Sequence, residues 1–87
     1  MSKLEKLVAS LLRDSSDYSF SDLKKVLIAF GYSEIRVRGS HHTFRNEKGQ
    51  TQIVPKKHGK KVIKPYVKRA VKILNLKEWY EQQKKDS

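Results

Sequence analysis

The sequence predicts an α+β fold in which a small antiparallel sheet carries helices on one face. Three observations predict it. Apolar residues recur with a period near 3.6 as far as Phe30, alternate with a period of 2 between Glu34 and Val54, and return to 3.6 after Pro65. Gly31, Gly39–Ser40, Gly49 and Pro55 fall where one segment gives way to the next.

Taken in order, Leu4, Leu7, Val8 and Leu11 follow i, i+3, i+4, i+7 spacing and predict an amphipathic helix within residues 1–14. The polar stretch "RDSSDYS" interrupts it. Ser19 with Asp22 reads as a capping box, and Leu23, Val26, Leu27 and Phe30 give a second helix one apolar stripe, over about 19–30. Gly31 supplies its left-handed stop. In "SEIRVRGS", Ile35 and Val37 alternate with Glu34, Arg36 and Arg38, as in a half-buried strand. Gly39–Ser40 turns the chain into a second strand, "HHTFR". The "NEKGQ" loop then leads to a third, "TQIVP", which Pro55 stops. Pro65 suits the first turn of a last helix, whose buried face is Val67, Ala70, Val71 and Leu74. "KEWYEQQKKDS" extends that helix or forms a short terminal one.

An 87-residue chain makes one domain, 1–87, with one modest core. It has no cysteine, hence neither a disulfide framework nor a thiolate zinc site. Charges break its first fourteen residues, and no stretch approaches a membrane span, so a soluble cytoplasmic protein is expected. The charge balance says more. Twenty Lys and Arg against nine Asp and Glu give +11, and no acidic residue falls between Glu47 and Glu78 while ten cations do. Such a run repels itself, and a polyanion relieves that repulsion, so nucleic acid is the expected partner and a membrane is not. A DNA-binding regulator has the same charge, but no helix-turn-helix spacing stands out.

"RGSHHTFR" holds two of the chain's three histidines. Phe44 is the only large apolar residue of its strand and must face the helices. His42 shares that side and reads as a packed ring that satisfies a backbone group. His41, Thr43 and Arg45 share the other side, unless a bulge at the turn shifts the assignment by one. Adjacent strand histidines diverge, and the nearby carboxylates are only Glu34 and Glu47, so no metal site or other cofactor is expected. An imidazole titrates near neutrality. RNA carries its own nucleophile, the 2′-hydroxyl, so cleaving it needs a proton acceptor, a proton donor and cations for the phosphate charge. His41, flanked by Arg38 and Arg45, offers such a set.

"FSDLKKVLIAFGY" followed by "RVRGSHHTFRNEKGQTQIVPKKHGKKVIKP" closely resembles the HicA family of type II toxin–antitoxin toxins. The resemblance spans roughly Phe20 to Leu76, within a core of 19–76. Its most specific part is the Gly-Ser-His turn, supported by the "VP" ending strand three and the "K-P" opening the last helix. It implies a fold like that of a double-stranded-RNA-binding domain (α-β-β-β-α) and a metal-independent mRNA interferase. It also implies an antitoxin of the HicB type that covers the active face. The family's functional histidine maps onto His41, with His42 the second candidate. Ser40, Lys56, Lys57, His58, Lys60, Lys61 and Lys64 are then the expected RNA-binding residues, the lysines holding phosphate beside a helix N-terminus without reading sequence. The general acid is His41 acting twice, water, or His58. The extra N-terminal helix, 1–14, and the extension 77–87 depart from the compact family pattern. They are expected to add core or to serve an interface. The alternative to a nuclease is a non-catalytic module that binds structured RNA.

Overall fold

The computed structural model describes residues 2–85; Met1, Asp86 and Ser87, which belong to the two expected extensions, lie outside the described residues. The fold is α+β. Helix α1 (Lys3–Leu12) is followed by β1 (Asp17–Ser19), α2 (Phe20–Ala29), β2 (Ser33–Arg38), β3 (His41–Arg45) and β4 (Thr51–Pro55). Strand β5 (Lys61–Ile63), α3 (Lys64–Ile73) and α4 (Leu76–Lys85) complete the chain. Strands β2-β3-β4 form an antiparallel meander, while β1 and β5 form a separate two-stranded ribbon.

Helix ends follow local chemistry. Ser2 and Glu5 close a full capping box on α1. At α2 only half of the expected box forms. Ser19 accepts the Asp22 N–H, but the Asp22 carboxylate accepts from Ser10 Oγ at 3.2 Å and so ties α2 to α1. Gly31, at φ +94°, ends α2 in a Schellman motif, with Tyr32 N–H donating to Leu27 O and Gly31 N–H to Ile28 O. Asn75, in the left-handed region at φ +54°, separates α3 from α4, so the C-terminal segment is a helix of its own.

The core runs through both extensions. Val8 and Leu11 of α1 are buried with Leu23, Val26 and Leu27 of α2, Phe44 and Val54 of the meander, and Val67, Ala70 and Leu76. Trp79 lays its ring edge-on to Phe30 at 5.5 Å. Burying Val8 and Leu11 contributes about 1.5–3 kcal/mol each. Val8 and Leu11 of α1 are therefore part of the core, and Trp79 and Tyr80 pack against it from α4.

Two expectations fail here. Ile35 and Val37 do not form the buried side of β2; they are 54% and 50% exposed. A bulge lies between Glu34 and Arg36, so Glu34 pairs with Phe44, whereas Arg36 and Arg38 pair with Thr43 and His41. The bulge carries Glu34 to the helix-facing side and leaves Ile35 outside. The second failure is the ribbon. Asp17, Tyr18 and Ser19, read as an interruption, pair with Ile63, Val62 and Lys61 of the stretch read as a basic loop.

Candidate active site

Gly39 and Ser40 make a two-residue hairpin, with Arg38 and His41 as the closing pair. Gly39 has φ +56° at the first central position, where a II′ turn calls for glycine. Ser40 O accepts the Lys56 N–H at 2.7 Å, which holds the turn beside the end of β4.

The alternation along β3 separates the two histidines. Phe44 is fully buried, and His42, on its side, is only 12% exposed. His41 lies opposite, exposed, between Arg38 on β2 and Pro55 on β4. The expectation that His42 satisfies a backbone group is corrected. Its Nδ1 lies 2.7 Å from the Glu34 carboxylate, brought there by the β2 bulge. The ring also packs on Phe20 with centroids 4.5 Å apart, and Lys56 Nζ sits 5.1 Å from the same phenyl ring. The second oxygen of Glu34 takes Lys24 Nζ at 3.3 Å. The His42 hydrogen bond, helped by Lys24, holds the Glu34 carboxyl below its usual range against the opposing effect of burial. Glu34 thus fixes the direction of the His42 ring. The sequence carried a signal for this pairing, since Glu34 was one of two carboxylates near the histidines. Only the bulge turned it inward.

The arginines do not converge as expected. Arg38 is directly across from His41. Arg45, four residues along β3, is about 13 Å away by strand rise, beside Gly49 at the other end of the hairpin. Arg36 takes its place. It pairs with Thr43, on the same open face and one step from His41. Its position in an "RVR" repeat, two residues from Arg38 and so on the same face, was the available signal.

The basic stretch is also more structured than a loop. Lys57 and Lys61 bridge, His58 and Gly59 lie exposed in the turn between them, and Lys60 adopts a left-handed φ of +69°. Lys60 O accepts the N–H of Phe20, so this turn supports the ring on which His42 rests. Two of the lysines meet acids from far upstream, Lys61 with Asp17 at 3.8 Å and Lys64 with Asp14. The Lys64 hydrogen bond and charge lower the Asp14 pKa, and Asp14 raises that of Lys64. The run without acidic residues is therefore partly offset in space. Among the described residues no group of three or more His, Cys, Asp or Glu is placed to hold a metal ion. No helix among them is long and apolar enough to cross a membrane.

The family model for the HicA toxin of bacterial toxin–antitoxin matches residues 20–84. The chain belongs to the HicA toxin family. It is thus a toxin of a toxin–antitoxin system, with an antitoxin as its implied partner, and the family supports an enzyme of nuclease type. No curated protein and no solved structure matches the chain significantly. The match begins at Phe20, the ring beneath His42, and leaves α1 and β1 outside it.

Proposed function

We propose that this HicA toxin is a metal-independent endoribonuclease that cleaves mRNA, with His41 as the proton-transfer residue. The observation that carries the reading is the exposure of the His41 ring on the open sheet face, directly across from Arg38 and one step from Arg36. A 2′-hydroxyl approaching that face gives its proton to a ring nitrogen of His41, and its oxygen attacks the adjacent phosphorus. The P–O5′ bond breaks to leave a 2′,3′-cyclic phosphate, and the 5′-oxygen takes a proton from the imidazolium or from water. Arg36 and Arg38 neutralise the charge that builds on the phosphate oxygens. Lys56, Lys57, Lys60, Lys61 and Lys64, with Ser40 and His58, hold the flanking backbone, and Arg45 meets a phosphate farther along. A HicB-type antitoxin covering the open face would block this approach.

A second reading rests on one observation, the Glu34–His42 hydrogen bond, which orients His42 as a carboxylate orients a general base. One experiment separates the readings: purified His41→Ala and His42→Ala with labelled mRNA in EDTA, cleavage read on a gel. His41→Ala is expected to lose cleavage while keeping its fold and RNA affinity. Wild-type rates in His41→Ala with loss in His42→Ala would move the role to His42. Absence of cleavage by the wild-type protein would leave a module that only binds RNA.

A further inference from the structure

An open groove of the molecule lies away from the Gly39–Ser40 hairpin. It has a volume of about 960 Å³ between the end of α1, the outer side of α3 and α4. Leu11 and Tyr18 are buried beneath it, and Leu12, Val71 and Tyr80 form its half-buried floor. Six cations and two carboxylates line it. Asp14 and Lys64 neutralise each other, which leaves a clear positive excess along α3 and α4. Lys68 and Lys72, one helical turn apart on α3, are both exposed on this rim.

An apolar floor under a cationic rim is the complement of an amphipathic helix with an acidic flank. The size agrees. Two turns of helix about 10 Å across occupy roughly 850 Å³. RNA fits less well, because phosphates gain nothing from Leu12 and Val71. One wall comes from α1 and the segment after it, outside the residues that match the family model, and the rest comes from α3 and α4 within them. We propose that the groove docks an acidic amphipathic helix of a partner protein. The proposal stands on the groove alone and does not depend on which histidine, if either, cleaves RNA.

The test uses the full chain and a fluorescent 18-residue peptide with leucines at i, i+3, i+4 and i+7 and glutamates on either side. A peptide of the same composition with the leucines scattered is the control, and binding is read by anisotropy. The patterned peptide is expected to bind at least tenfold more tightly than the scattered one. Lys68→Glu combined with Lys72→Glu should weaken it at least tenfold further, while affinity for an RNA hairpin stays within twofold of wild type. Equal binding of the two peptides, or none, would overturn the proposal. So would loss of RNA affinity in the double variant matching its loss of peptide affinity, which would make the groove part of the RNA track. If the double variant does not fold, the two peptides on the wild-type chain still decide.

Discussion

Replacing Glu34 with Gln keeps the shape of the side chain and removes its charge. The carboxylate holds His42 Nδ1 at 2.7 Å and Lys24 Nζ at 3.3 Å. A hydrogen bond to a charged group contributes about 1.5–3 kcal/mol, and a neutral one about 1. The glutamine oxygen can still accept from His42, so roughly 1 kcal/mol of charge assistance is lost there. Lys24 is 39% exposed, and losing that ion pair adds about 0.5 kcal/mol. The expected destabilisation at pH 7 is therefore about 1.5 kcal/mol, or roughly 9 °C in Tm for a chain of this size. The pH dependence follows from the lowered pKa of Glu34. Its ordinary value is 4.5, so as pH falls the unfolded chain takes up the proton first. The advantage of the wild type is full above 4.5 and disappears as pH falls through the lower folded value. Urea titrations of both proteins from pH 7 to pH 3 measure it. A difference below about 0.5 kcal/mol at pH 7, or one that stays constant to pH 3, would refute the claim that this carboxylate is charged and bound in the folded state.

Three further outcomes are expected. If His42 rather than His41 moves the proton, Glu34→Gln also lowers cleavage at temperatures where the variant is folded; if His41 does, the rate is unchanged. Lys57→Gln with Lys60→Gln should weaken binding to every RNA alike and flatten the plot of log affinity against log salt by about 2, read by filter binding at several salt concentrations. Gln52 is 5% exposed, faces Phe44 across the meander, and its Nε2 has no hydrogen-bond partner among the described residues. Gln52→Met should therefore stabilise the protein by about 1 kcal/mol, seen as a Tm several degrees higher.

What was legible in the sequence was whatever short-range periodicity encodes. The stripe of Leu23, Val26 and Leu27 located α2, Gly31 its end, and Phe44 the inward side of β3, which in turn placed His41 outside and His42 within. What was not legible depends on distant pairing or on one extra residue. The bulge at Ile35 has no composition signal, yet it decides that Glu34 turns inward to meet His42. Arg45 was misplaced for a different reason. It shares a face with His41, but face says nothing about distance along a strand. The ribbon escaped because Asp17 to Ser19 are too few residues to establish an alternation, and their partners lie in a lysine-rich stretch.

That ribbon also orders events during synthesis. Asp17 waits for Ile63, and the Phe20 amide waits for the Lys60 carbonyl, so a nascent chain that has already made its meander still lacks the support beneath Phe20 and hence beneath His42. Closing so long a loop is an entropic cost that only the late residues repay. A premature stop before Lys61 therefore yields a fragment that holds His41 and His42 but lacks the Lys57–Lys61 bridge and the β5 strand that pairs beside Phe20.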